Sequence, residues 1–248
     1  MRLVVCLPTY NERENVEPMV RRLGEVLAGH VGKATILVVD DASPDGTGEV
    51  AGRLAHELAD VEVLRRPRKD GLGPAYLAAF EWALAVGADA IVQMDCDFSH
   101  DPNDVPRLLD ALATADVVVG SRYARGGAVR DWGLARRSVS RFASIYARGI
   151  LGVALSDLTS GFKCHRREVL EAIDLASIET RGYAFQIETT YRALRAGFRV
   201  TEIPIVFADR AAGRSKMTSR IALEAAVRVP ELRIAAARGR LRPKRPGV

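Results

Sequence analysis

Apolar runs of strand length alternate with helix-spaced apolar positions through the first half of the chain. Leu3 to Leu7, Thr35 to Val39, Val61 to Leu64, Ala90 to Met94 and Val117 to Val119 are nearly continuous in β-branched and aliphatic residues, the pattern of strands buried on both faces. Between them the period changes. Val16, Val20, Leu23 and Leu27 share one helical face, Val50, Leu54 and Leu58 another, and Ala75 to Ala85 and Pro102 to Leu112 follow. Four strand-to-helix alternations predict an α/β fold built on a doubly wound, mostly parallel sheet. Start signals agree: Asp101 before Pro102 predicts an N-cap with proline at the first helical position, and Asp45-Gly46-Thr47 predicts a turn into the second helix.

Beyond Gly120 the pattern becomes irregular. A polar segment rich in Gly and Arg (Ser121 to Arg137) precedes a helix near Ser138 to Leu151, a short strand around Gly161 to Cys164, a helix from Ala184 to Ala196 and an edge strand from Phe198 to Ile203. A polar loop, Ala208 to Thr218, leads to a candidate amphipathic helix, Ile221 to Ala237, with Ile221, Ala225, Val229, Leu232 and Ala236 near one face. Nothing resembles an interdomain linker or repeat, so residues 1–220 read as one domain and residues 221–248 as a basic helix and tail.

Composition narrows the classes. With 248 residues, 48% of them hydrophobic, the chain can bury a large core without staples. Charges interrupt every apolar stretch short of the ~18 to 20 residues that cross a bilayer. Met1-Arg2 runs directly into the first strand rather than a signal peptide, which makes the cytoplasm the expected compartment. Three cysteines, Cys6, Cys96 and Cys164, lack C-x-x-C spacing and indicate neither a disulfide framework nor a zinc site. The net charge of +5 is carried mostly by arginine and concentrates between Arg228 and Arg245, where Glu231 is the single acid. That end is expected to meet an anionic membrane surface. Stacking aromatics do not interleave with the cations, which argues against a nucleic-acid partner.

The polar residues that matter follow the strands, because ligands of such sheets sit outside the carboxyl ends of the strands. Strand one ends in Pro8-Thr9-Tyr10-Asn11-Glu12, strand two in Asp40-Asp41-Ala42-Ser43-Pro44-Asp45, and strand four in Asp95-Cys96-Asp97-Phe98-Ser99-His100-Asp101. A single Asp in such a place is usually a helix cap. Asp95 and Asp97, two positions apart, are hard oxygen ligands suited to Mg²⁺ or Mn²⁺ bridging a diphosphate. Glycines of a dinucleotide site do not follow strand one, and no Walker A pattern exists. The loop from Asp209 to Lys216 sets Arg210, Arg214 and Lys216 around Gly213, an arrangement able to close over phosphates.

These segments resemble the family 2 glycosyltransferases of the GT-A fold, and among them the dolichyl or polyprenyl phosphate mannose synthases. The likeness runs from Leu3 to about Lys216. It rests on the three strand-end clusters together with Gly71-Leu72-Gly73, Gly120-Ser121-Arg122-Tyr123, Ser160-Gly161-Phe162 and Gly182-Tyr183-Ala184-Phe185-Gln186-Ile187-Glu188. The resemblance implies that Pro8, Tyr10, Glu12, Val39 and Asp41 contact a guanine nucleoside. It implies that Asp95 and Asp97 form the D-x-D pair, with Asp97 the direct metal ligand, and that the backbone of Cys96 meets the nucleotide. By the same likeness Arg122, Arg136, Arg210 and Lys216 hold the donor diphosphate and acceptor phosphate. Two positions depart from the family: Cys96 stands where alanine is common, and Ser99 where some members carry a glutamine ligand.

The implied reaction is inverting transfer of mannose from GDP-mannose to a polyprenyl phosphate, with Asp97, Arg122 and Arg136 at its centre. A lipid phosphate oxygen is already anionic near neutral pH, so no general base is needed; His100 reads as a loop residue beside the site, and His30, His56 and His165 as surface or structural. Peripheral contact with the cytoplasmic face of a membrane, or a membrane partner subunit, would bring the lipid. Two alternatives remain at the level of sequence: a relative that uses a UDP-sugar such as UDP-glucose, and a non-catalytic module that binds anionic surfaces.

Overall fold

A computed structural model of the chain describes residues 1–180, 182–209 and 219–241. Its elements in order are β1 (Arg2–Thr9), α1 (Arg13–Leu27), β2 (Lys33–Asp40), α2 (Thr47–Glu57), β3 (Val61–Arg65), α3 (Leu72–Ala85), β4 (Ala90–Gln93), α4 (Val105–Ala111), β5 (Val117–Ser121), β6 (Ala128–Val129), α5 (Leu134–Leu151), β7 (Lys163–Arg166), α6 (Arg167–Ala172), α7 (Tyr183–Arg195), β8 (Val200–Pro204), β9 (Val206–Phe207) and α8 (Ser219–Ala237). The main sheet has the order β3-β2-β1-β4-β7-β5-β8, and β6 and β9 form a small separate ribbon.

Both faces of the sheet are covered, as the continuous apolar strands require. Along β1, Leu3, Val5 and Leu7 enter the core beneath α1, α2 and α4, while Val4 and Cys6 enter the opposite core beneath α3 and α7. That alternation follows from the two-residue period of a strand. A third cluster joins α5, α7 and α8 through Ala147, Leu151, Ile187, Tyr191, Val229, Leu232 and Ala236. All three cysteines are buried free thiols.

Two local details differ from the sequence expectation. The helix expected from Pro102 begins as a 3₁₀ turn, Pro102–Asp104, capped by the Asp101 carboxylate, which accepts from the Asn103 N–H. Its α-helical part starts only at Val105, because Pro106 has no N–H to donate back to the Pro102 carbonyl. The second difference is larger. Strand β7 lies between β4 and β5 and runs antiparallel to both, whereas the other neighbours in the sheet are parallel.

The sheet order reverses direction between β1 and β4, with β2 and β3 continuing to one side and β7, β5 and β8 to the other. A crevice forms outside the carboxyl ends of the strands at such a reversal.

Candidate functional site

Three strand ends meet at that crevice, and each leaves its strand through a backbone conformation that L-residues seldom adopt. Asn11 follows β1 with φ 56°, Ala42 follows β2 with φ 55°, and Phe98 follows β4 with φ 60°. Each such residue costs of order 1 kcal/mol or more, and the surroundings must hold it in place. Here the loops after β1 and β2 hold one another. The consecutive amides of Asn11, Glu12 and Arg13 donate to Ser43 Oγ (3.1 Å), Thr47 Oγ1 (3.0 Å) and Asp45 Oδ2 (3.2 Å). Asp45 also accepts from the Thr47 N–H and hydroxyl. Burial would raise its carboxyl, but these bonds outweigh burial and hold it below its ordinary value.

The residues implied for nucleoside contact sit on this stitched edge. Pro8 and Val39 face each other in the β1–β2 register, and the Thr9 hydroxyl donates to the Val39 carbonyl. The Tyr10 ring carries the Lys69 ammonium 3.7 Å above its centroid. Glu12 is largely buried and accepts from Asn15 Nδ2 at 2.8 Å. Asp41 is engaged by the Arg66 guanidinium and by the Asp70 N–H at 3.3 Å. Neither Arg66 nor Lys69 was singled out by the sequence pattern; both belong to the basic run after β3.

Past β4, Asp97 and Cys96 are buried and Asp95 is partly exposed. Asp97 Oδ1 accepts from both the Ser99 N–H (3.1 Å) and the Ser99 hydroxyl (2.6 Å). Ser99 therefore fixes the orientation of the carboxylate. The Asp95 N–H donates to His100 Nδ1, and the imidazole stacks on Phe162 and meets Phe207 edge-on. Burial, then the charge of Asp95, pushes the phenol of Tyr76 well above its ordinary value. Among the described residues no group of three or more His, Cys, Asp or Glu side chains could hold a metal ion. Two hard carboxylates suit Mg²⁺ or Mn²⁺, which commonly takes one or two protein carboxylates and completes its shell with phosphate oxygens and water.

The expected phosphate cations are placed differently from one another. Arg122 is buried, and its Nε and Nη2 each bond an Asp157 oxygen at 2.7 Å, with Thr159 Oγ1 2.6 Å from Nη2. The rings of Tyr123, Trp132 and Phe207 surround its guanidinium at 5.3 to 6.0 Å. Arg136 is more open; it stacks on Trp132 at 4.0 Å and pairs with Asp209 at 3.0 Å. Arg210 and Lys216 lie outside the described residues.

Sequence reasoning missed Asp157 and a buried polar group behind Asp95. Lys163 on β7 is wholly buried and donates to the Gln186 carbonyl (2.6 Å) and to Gln186 Oε1 (3.1 Å). Gln93 donates to the same Oε1 and to the Gly161 carbonyl, and its own Oε1 meets His165 Nε2 at 3.0 Å. Burial draws Lys163 down to about 7, and burial with the Lys163 charge draws His165 down to about 3. The available signal was a lysine and a histidine alternating with cysteine within a short strand, which marks them as inward or paired.

Comparison with known proteins adds four observations. The family model described as "Glycosyl transferase family 2" matches residues 4–174. The chain is 46% identical over 236 residues, 95% of its length and 96% of the relative's, to a protein of Micrococcus luteus named undecaprenyl-phosphate mannosyltransferase. It is 48% identical over 244 residues, 97% of its length and 89% of the relative's, to a protein of Mycolicibacterium smegmatis named polyprenol monophosphomannose synthase. Among solved structures, glucosyl-3-phosphoglycerate synthase from Mycobacterium tuberculosis, in complex with Mn²⁺ and UDP-glucose, superimposes with a TM-score of 0.63 at 22% identity, covering 100% of this chain and 81% of that one. That likeness is one of fold.

Proposed function

The chain belongs to glycosyl transferase family 2, and on that premise we propose that it transfers mannose from GDP-mannose to a polyprenyl monophosphate with inversion, giving polyprenyl phosphate β-mannose. The observation that carries this reading is the convergence of Tyr10, Asp41, Asp95 and Asp97 on one crevice in a chain whose near-full-length relatives are named for mannosyl transfer to polyprenyl phosphates. The stitched loops after β1 and β2 form the nucleoside half, with Pro8, Tyr10, Glu12, Val39 and Asp41 lining it. Asp95 and Asp97 would hold Mg²⁺ or Mn²⁺, and the Cys96 backbone would meet the nucleotide. A bound divalent cation neutralises charge on the departing diphosphate.

The chain's own groups do the rest. Ser99 keeps Asp97 in one orientation, so little reorganisation is needed as charge develops on the leaving group. Arg122, whose orientation Asp157 fixes, together with Arg136, Arg210 and Lys216 receives the donor and acceptor phosphates. A lipid phosphate attacks as an anion, so the chain is not required to abstract a proton.

Peripheral membrane contact on the cytoplasmic side is part of the proposal, with residues 1–220 as the catalytic unit and 221–248 as a basic helix and tail. Among the described residues no helix is long and apolar enough to cross a membrane. Leu134, Val139, Phe142 and Ile145 are exposed on one side of α5, bordered by Arg137, Arg141 and Arg148. Such a stripe suits the headgroup layer of an anionic bilayer. In α8, Val229, Leu232 and Ala236 pack inward against α5 and α7, while Val227 and Ile234 are exposed.

The test is transfer of radiolabel from GDP-mannose to a short polyprenyl phosphate with Mg²⁺ or Mn²⁺, with EDTA and UDP-glucose as controls. Label entering the organic phase only with metal and GDP-mannose is the expected result. Transfer from UDP-glucose instead, or no lipid product from either donor, overturns the assignment.

A further inference from the structure

Nothing in the backbone requires glycine at position 161. Its φ lies outside the left-handed region, and a Cβ there would meet Asp95 Oδ1 at 3.6 Å, Gln186 Nε2 at 3.6 Å and His100 Cε1 at 3.7 Å, all ordinary contacts. Packing explains other glycines near the site: at Gly120 the same atom would strike Phe162 at 2.9 Å, and at Gly127 it would lie 2.6 Å from the Ser121 carbonyl oxygen. Gly161 is partly exposed, so its missing side chain leaves an open notch walled by a carboxylate oxygen, an amide nitrogen and an imidazole edge.

The amide is held in one orientation. Gln186 Oε1 accepts from Gln93 Nε2, which also donates to the Gly161 carbonyl, and from Lys163 Nζ, so turning the amide over would set its nitrogen against the Gln93 donor. Gln186 Nε2 is thereby directed to the notch side, where it is buried and has no hydrogen-bond partner. Buried donors are nearly always satisfied, and one left open beside an unfilled notch is a position for a ligand atom.

We propose that this notch is a subsite for one hydroxyl group of the transferred sugar, with Gln186 Nε2 donating a hydrogen bond to the hydroxyl oxygen and the hydroxyl donating one to Asp95. The proposal rests on the sugar-transfer reading above. A donor beside an acceptor matches a hydroxyl, which is both. A phosphate oxygen only accepts and would offer Asp95 no hydrogen. Gly161 admits the hydroxyl, and Gln93 and Lys163 are positioning residues that aim the amide.

Gly161→Ala is the direct test, because its methyl fills the notch without straining the backbone, and an unchanged melting temperature serves as the fold control. Binding of GDP and of GDP-mannose is measured by calorimetry with Mg²⁺, alongside steady-state transfer to a short polyprenyl phosphate. The variant should bind GDP as the parent does and lose about tenfold or more in kcat/KM for GDP-mannose. Among monodeoxy GDP-mannose donors, one should cost the parent a similar factor and cost Gly161→Ala nothing further. Gln186→Glu, which keeps both bonds at Oε1 and replaces the amide donor with oxygen, should reproduce the pattern. The proposal is overturned if Gly161→Ala matches the parent on every donor, if GDP and GDP-mannose weaken equally, or if the variant's loss adds to that of every deoxy donor. A parent that uses UDP-glucose and not GDP-mannose removes the donor assignment alone; the same comparison with UDP, UDP-glucose and its deoxy forms then judges the notch.

Discussion

Arg122 and Asp157 meet through two parallel bonds, Nε to Oδ2 and Nη2 to Oδ1, both 2.7 Å long, with 5% of one side chain and none of the other exposed. Burial by itself would raise the Asp157 carboxyl. The charge and hydrogen bonds of Arg122 outweigh burial and hold it below its ordinary value. A carboxyl depressed in the folded state contributes stability that is present above its unfolded value and is lost as pH falls through its folded one.

Asp157→Asn removes the charge and leaves Arg122 buried without its counter-ion. The expected loss is about 3 to 5 kcal/mol, read from urea denaturation at neutral pH. The variant should also show a shallower loss of stability on acidification below about pH 4, the ordinary carboxylate range. A parent and variant with equal midpoints would show that the pair contributes nothing.

For Asp97 the expectation concerns turnover rather than folding. Asp97→Ala should reduce mannose transfer at least about a hundredfold, with an unchanged circular dichroism spectrum. Ser99→Ala, which removes the 2.6 Å bond to Asp97 Oδ1, should lose only about three- to tenfold. Near-parental turnover in Asp97→Ala would remove this carboxylate from the site.

Lys163 gives a pH dependence of the same sign in a more alkaline window. Burial lowers it from 10.5 to about 7, partly offset by Asp157, so between those values the unfolded chain binds more protons than the folded one. Stability from this group therefore rises with pH across that window. Melting temperatures of the parent and Lys163→Met at pH 7 and pH 9 should show a smaller gain in the variant; identical gains would mean that the lysine keeps its proton when buried.

Phe142 is 68% exposed on α5, so replacing it should leave the fold intact. Phe142→Asp should reduce sedimentation with anionic vesicles about tenfold or more, since it removes an apolar side chain from the contact and adds a repelled charge. Undiminished vesicle binding would move the membrane contact elsewhere.

Much of the scaffold was legible because strand and helix periods are local. The alternation of Leu3, Val5 and Leu7 with Val4 and Cys6 needs only the strand's two-residue repeat, and the Asp101 cap needs only its neighbour Pro102. The convergence of Tyr10, Asp41 and Asp97 on one edge follows from parallel strands that all end on the same side. What stayed hidden depends on contacts between distant segments. No local pattern pairs Arg122 with Asp157, 35 positions away, or brings Gln93 and Gln186 together across 93. Nor does the period of Lys163 to Arg166 say between which strands it inserts, or in which direction.

The insertion of β7 also sets a schedule for synthesis. On the ribosome, β1 to β4 can pair as soon as they emerge, but the far side of β4 and one side of β5 stay bare until residues 163–166 arrive, and the other side of β5 until β8 follows. Bare strand edges are templates for pairing with other chains. The nascent protein is thus most vulnerable to aggregation in the interval between translation of β5 and of β7, and the delivery of Asp157 to Arg122 falls within that interval.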